Sequence, residues 1–143
     1  GWMADMTAYG FKDRFVDAIR EGRKRQTVRA PRLGRQRHAR PGELLQLYRS
    51  WRQPGMAKII PDPICRAVAE VKIAQDYVIL RRAFPGSLGG ASDYGWQQIA
   101  DEPYGFFTLD SFARADGFAD ADDMLRFFAA AHPLPFTGIC IMW

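Results

Sequence analysis

The sequence predicts an α+β fold: a small, strongly curved barrel of mixed or antiparallel strands with two or three flanking helices. Three observations carry that expectation. Cys65, Ala67, Ala69, Val71 and Ile73 fall on alternate positions with Arg66, Glu70 and Lys72 between them, and apolar residues at period two argue for a strand. Asp120 to Ala131 has helix signals, with Asp120 as cap, Asp122 and Asp123 near the positive end, and Leu125 and Phe128 toward a core. Phe136 to Trp143 is apolar at both parities, the pattern of a strand internal to a sheet.

Taken in order, Phe11, Phe15 and Ile19 recur every fourth residue with Ala18 beside them. This spacing predicts a short amphipathic helix with Lys12, Asp13, Asp17, Arg20 and Glu21 outward. Gly22 is its expected stop, which sets Arg23, Lys24 and Arg25 beside the negative end of the helix dipole. Gln26 to Arg29 then reads as a strand, because Thr27 and Val28 are β-branched. Helix, glycine turn and strand aim Lys24, Thr27 and Arg29 at one place.

A basic loop carries Arg32, Arg35, Arg37, His38 and Arg40, and Pro41-Gly42 turns the chain into a strand from Glu43 to Arg49. Trp51 to Gly55 is another loop. Tyr77 to Leu80 continues an antiparallel meander after a turn at Gln75-Asp76. From Phe84 to Gly105 interleaved glycines and aromatics predict a long loop in which Trp96 is placed to stack on a base. Packing of those aromatics back onto the barrel is the alternative. Thr108 to Asp116 forms a short helix, and His132 to Pro135 ends the helix that follows.

The 143 residues suit one domain, expected over 3–143, with Gly1 and Trp2 ahead of Met3 set aside as an addition. The chain shows no apolar run near the roughly 20 residues that span a bilayer and no signal-like segment, so a cytoplasmic protein is expected. Cys65 and Cys140 lack metal-site spacing and read as buried thiols; no metal or cofactor is expected. Charge is uneven. Residues 11–40 hold 11 of the 20 Lys and Arg against 3 acidic residues, whereas 101–132 hold 7 acidic residues against 2 basic ones. Such polarity turns a basic front toward a polyanion.

Hydrolysis without a metal needs a nucleophile, a proton acceptor and a fixed positive charge near the developing anion. Thr27, Lys24 and Arg29 match those roles, with Asp116 exchanging a proton with Lys24. Crowding by Arg23, Arg25 and Arg29 favours the neutral lysine. Arg23, Arg25, Arg29, Arg32 and Arg40 are the expected binding cations. Blander readings stay open: Thr27 present for its β-branch, Lys24 and Arg25 as a solvated helix end, Asp116 as a turn residue. His38 and His132 have no partners placed for a triad and read as structural or solvent-facing.

Phe15 to Arg29, with Ile19, Gly22, Lys24, Gln26, Thr27 and Arg29, followed by Arg40-Pro41-Gly42-Glu43 and Leu44 to Tyr48, resembles the ASCH domain family of PUA-like β-barrels. Phe112 to Phe118 is similar to that family's acidic-Gly-Phe signature, and the closing strand from Phe136 to Trp143 matches as well. The resemblance implies a PUA-like barrel that binds RNA or a modified nucleoside in a basic cleft. One family branch deacetylates N4-acetylcytidine with a Lys, a Thr three residues later and a Glu, positions similar to Lys24, Thr27 and Asp116. Asp116 is the departure, since Asp is one methylene shorter. Other members are associated with RNA binding or cleavage, so ribonuclease activity is a further alternative.

Overall fold

Tyr9 and Phe11 are buried at alternate positions of a strand, β1 (Met6–Phe11), where the helical reading had placed Phe11. The four-residue spacing of Phe11, Phe15 and Ile19 therefore crosses an element boundary. A 3-10 turn over Asp13–Phe15 leads into α1 (Val16–Arg20), a helix of only 5 residues. Phe11 joins the core from β1 and Phe15 and Ile19 from the helical segment, so all three are buried even though they share no helix face.

The computed structural model describes residues 6–32, 37–85, 94–98 and 108–143, without the side chains of 81–85 and 94–98. Its remaining elements are β2 (Gln26–Arg29), β3 (Leu44–Arg49), β4 (Ala57–Lys58), β5 (Ala67–Ile73), β6 (Val78–Pro85), β7 (Tyr94–Gln98), α2 (Leu109–Ala115), α3 (Ala121–Ala131) and β8 (Phe136–Met142). They form an α+β fold with a three-stranded sheet in the order β1-β3-β4 and a five-stranded sheet in the order β2-β8-β5-β6-β7. Among the described residues none of the helices is long and apolar enough to cross a membrane.

The first sheet is mixed. β1 and β3 run parallel, Met6 opposite Leu44 through Phe11 opposite Arg49, while β4 is antiparallel to β3. A parallel pair needs a long crossover, and here the crossover is the cation-rich segment. It passes through α1 and then places β2 at the edge of the second sheet, antiparallel to β8 with Thr27 opposite Ile141 and Arg29 opposite Ile139. β8 lies between β2 and β5, the internal place its two-sided apolar pattern predicts.

The long loop expected from Phe84 to Gly105 is interrupted by strand, since β6 extends to Pro85 and pairs with β7. The other residues of that stretch lie outside those described. Nor do the ladders of the described residues close the two sheets into one barrel. Among the described residues an isolated bridge, Leu44 with Ile64, joins β3 to the segment that runs on into β5.

One core cluster draws on both sheets and all three helices, including Leu45 and Leu47, Val71 and Ile141, Ile19, Phe112 and Phe128. In α3 the buried residues are Met124 and the expected Phe128, while Leu125 is half-buried. Asp120 caps that helix by accepting from the Asp123 amide at 2.8 Å. Cys65 and Cys140 are buried free thiols. Burial pushes the Cys65 thiol up to about 11 and that of Cys140 well above its ordinary value.

Candidate functional site: a buried lysine-aspartate pair beside a basic groove

Two helix ends build the site. After α1, Gly22 takes φ +77°, its amide donates to the Ile19 carbonyl and the Arg23 amide to that of Ala18. After α2, Gly117 takes φ +92°, its amide donates to the Arg114 carbonyl and that of Phe118 to Ala113. Both ends are Schellman closures, in which a left-handed glycine lets the last helical carbonyls find donors. The first turns Lys24 inward, and the second holds Asp116 as the capping residue of α2.

Lys24 and Asp116 are each only 2% exposed, so neither is a solvated cap or a surface turn residue. Lys24 Nζ donates to the Asp116 backbone carbonyl at 2.5 Å and lies 3.5 Å from Asp116 Oδ1. It also stands 4.8 Å from the centre of the Phe15 ring and 5.8 Å from that of Phe11, a setting favourable to a cation. Burial acts against both charges. It lowers the lysine's pKa, opposed by the attraction of Asp116, and Arg29 is the arginine that pushes the same way as burial. It raises that of Asp116, opposed first by Lys24. A low dielectric thus brings the ionic and neutral forms of the pair closer in free energy than in water.

Asp116 Oδ1 and Gln26 Nε2 are buried without a hydrogen-bond partner among the described residues. Gln26 nevertheless pulls the carboxyl's pKa down, an influence exerted beyond strict hydrogen-bond geometry.

β2 supplies the other half. Thr27 and Arg29 are two residues apart, hence on one strand face, and Arg29 Nε donates to Thr27 Oγ1 at 2.9 Å. Arg29 Nη2 donates to the Gly10 carbonyl of β1 at 2.7 Å, tying the sheets together. Its guanidinium covers the rings of Tyr9 and Phe11, and partial burial lowers its pKa to about 10.

Lys24, Thr27, Arg29 and Asp116 line a single pocket of about 180 Å³, walled by Phe11 and Phe118. It adjoins a groove of about 800 Å³ that shares Gly10, Phe11, Lys12 and Arg29 and adds Arg32, Trp51 and Arg52. Arg37 also borders the groove but is held bidentately by Glu43 at 2.8 and 2.6 Å. Asp13 is a carboxylate on the same wall.

The four residues expected to carry chemistry therefore meet, and Arg32 faces the adjoining groove. Arg23 and Arg25 border neither cavity. Arg23 is exposed and pairs with Glu21 at 2.6 Å, and Arg25 Nε donates to the Trp143 carbonyl at 3.2 Å. In the turn between α1 and β2 Lys24 is buried while its neighbours Arg23 and Arg25 are exposed. Arg40 borders neither cavity, and its backbone amide donates to Glu43 Oε1 at 2.7 Å. Trp96 lies in β7, its side chain outside the described residues, as is Arg35.

His38 is structural. Its Nε2 faces the Ala30 carbonyl at 2.7 Å and so must carry the proton, leaving Nδ1 to accept from Tyr9 Oη at 2.9 Å. Gly10, Gln26 and Trp51 were missed as site residues. Their roles depend on contacts between sheets, which no local pattern reports. Among the described residues no three His, Cys, Asp or Glu side chains converge as a metal-ligand set.

Comparison of this chain with protein families, with curated proteins and with solved structures finds no match.

Proposed function

We propose that this chain is an ASCH-like domain that binds RNA through its basic groove and admits a nucleoside base to the Lys24–Asp116 pocket. The observation that carries this reading is the position of Arg29, which serves both cavities at once. A guanidinium there can meet a phosphate without leaving the base pocket. Asp116 Oδ1, a buried acceptor that the Lys24 ammonium approaches at 3.5 Å without forming a hydrogen bond among the described residues, suits the exocyclic amino group of a base such as cytosine. Two further observations support the barrel that the resemblance implies. The core is common to both sheets, and the chain passes from the β3 bridge at Ile64 directly into β5.

The groove reading is tested by fluorescence anisotropy with a labelled single-stranded hexanucleotide RNA. Affinity is expected to fall steeply as salt rises, and Arg29→Ala to lower both the affinity and the magnitude of the salt slope, the latter by about 1. A flat salt titration, or no binding at low salt, would refute the proposal.

A second reading, deacetylation of N4-acetylcytidine, is favoured by the presence of Thr27 in the same pocket as the buried pair. Thr27 Oγ would attack the acetyl carbonyl while neutral Lys24 takes its proton. The C–N bond would break as that proton passes to N4, and water would then cleave the threonine ester to release acetate. Catalysis ranks second because the Lys24 ammonium is bonded to Asp116 and Thr27 accepts from Arg29. Loss of the acetylcytidine ultraviolet band on incubation, abolished by Thr27→Ala, is the expected result; no spectral change with wild type would remove this reading.

A further inference from the structure

Trp51 stands on the wall of the larger groove between two residues in the left-handed conformation, Ser50 at φ +50° and Arg52 at φ +59°. Neither is a glycine, so the turn keeps a conformation that L side chains rarely adopt. The backbone is closed by the Gln53 amide donating to the Ser50 carbonyl at 3.0 Å. Gly10 of β1 makes the seat. A Cβ there would fall 2.4 Å from Trp51 Cβ and 2.7 Å from Cγ, so the indole occupies space that only glycine leaves. The carbonyl of the same Gly10 receives Arg29, fixing the aromatic wall relative to the guanidinium shared by both cavities.

Around this indole the groove is cationic. Arg52 stands 5.5 Å from the indole ring, and Arg29, Arg32 and Lys12 border the same space. The Tyr48 ring lies 5.2 Å from Trp51 and tilted by 43°, supporting it from the strand behind. A half-buried indole in a groove bordered by cations fits a ligand that is planar and anionic in alternation. Single-stranded nucleic acid has that character, because every base offers a π-face and every linkage a charge.

We propose that Trp51 is a stacking subsite for a second base of a single-stranded RNA whose first base enters the Lys24–Asp116 pocket. The linking phosphate then passes Arg29, and the next one passes Arg52. This inference rests on the RNA-binding reading and adds a named platform to it.

The test uses the labelled hexanucleotide RNA with wild type, Trp51→Leu and Trp51→Phe, each checked for an unchanged thermal midpoint. Leucine keeps apolar bulk without a π-face and is expected to weaken binding by about 5- to 150-fold, the equivalent of about 1 to 3 kcal/mol per stacked base. Phenylalanine is expected to restore most of the affinity. In wild type, RNA should quench the part of the tryptophan emission that is missing from Trp51→Phe; this readout needs no folded leucine variant. RNA binding with that emission unquenched, or with Trp51→Leu as tight as wild type, would overturn the subsite and leave the groove reading standing. Absence of RNA binding by wild type overturns both.

Discussion

The alkyl stem of Lys24 runs so close over Gly117 that a Cβ on the glycine would lie 2.7 Å from Lys24 Cδ. The acidic-Gly-Phe segment thus acts as a unit. Asp116 meets the ammonium, Gly117 makes way for the methylenes, and Phe118 packs edge-on against Phe15 with ring centres 5.4 Å apart.

Gly42 provides a matched control, because it has the same φ of +92° but nothing within 4 Å of its would-be Cβ. Both alanine variants bear the left-handed penalty of about 1–2 kcal/mol. Gly117→Ala is expected to lose about 1–3 kcal/mol more, since it overpacks the Lys24 stem. Urea unfolding of the two variants measures the difference. Equal losses would show that the stem moves aside freely.

Removing one member of the buried pair should leave the other exposed to the full cost of burial. Lys24→Met and Asp116→Asn are each expected to destabilise by about 3–5 kcal/mol, and the double variant by clearly less than their sum. A solvated lysine and a surface aspartate would instead change stability by less than about 0.5 kcal/mol each. A double-mutant cycle from denaturant midpoints decides between the two outcomes.

His38 makes stability depend on pH. Burial, helped by Arg32 and Arg29, lowers its pKa below the ordinary 6.5, against the opposing pull of the Ala30 carbonyl. Tyr9 shares its hydrogen bond from the β1 side. As pH falls below about 6.5 the unfolded chain binds a proton that the native imidazole resists, so stability declines toward the folded pKa. Above about 6.5 both states are neutral and this contribution is constant. Thermal midpoints between pH 5 and 8 should show a decline on the acid side that is shallower in His38→Gln. Parallel profiles for the two proteins would contradict the assignment.

How much could be read beforehand depends on the range of the interaction. The cap of α3, the stop at Gly22 and the internal place of β8 are local or periodic, and each was legible in its own few residues. β1 was obscured because Phe11 satisfies a strand period with Tyr9 and a helix period with Phe15, and only parallel pairing with β3 resolves the ambiguity. Among the cations, composition could not tell Lys24 from Arg23 and Arg25. Burial separated them.

The amino-acid order by itself determined an α+β chain with a cationic front, a first helix stopped at Gly22 and a strand that presents Thr27 and Arg29 on one face. Those features arise from backbone preference and side-chain period, which act within a few residues. Tertiary structure decided that Lys24 and Asp116, 92 positions apart, share one pocket and that Trp51 rests on Gly10. The physical reason is that these contacts exist only once the β1–β3 crossover has carried β2 onto the other sheet. Desolvation then gives a buried pair its altered acidity, and no property of the isolated residues sets it.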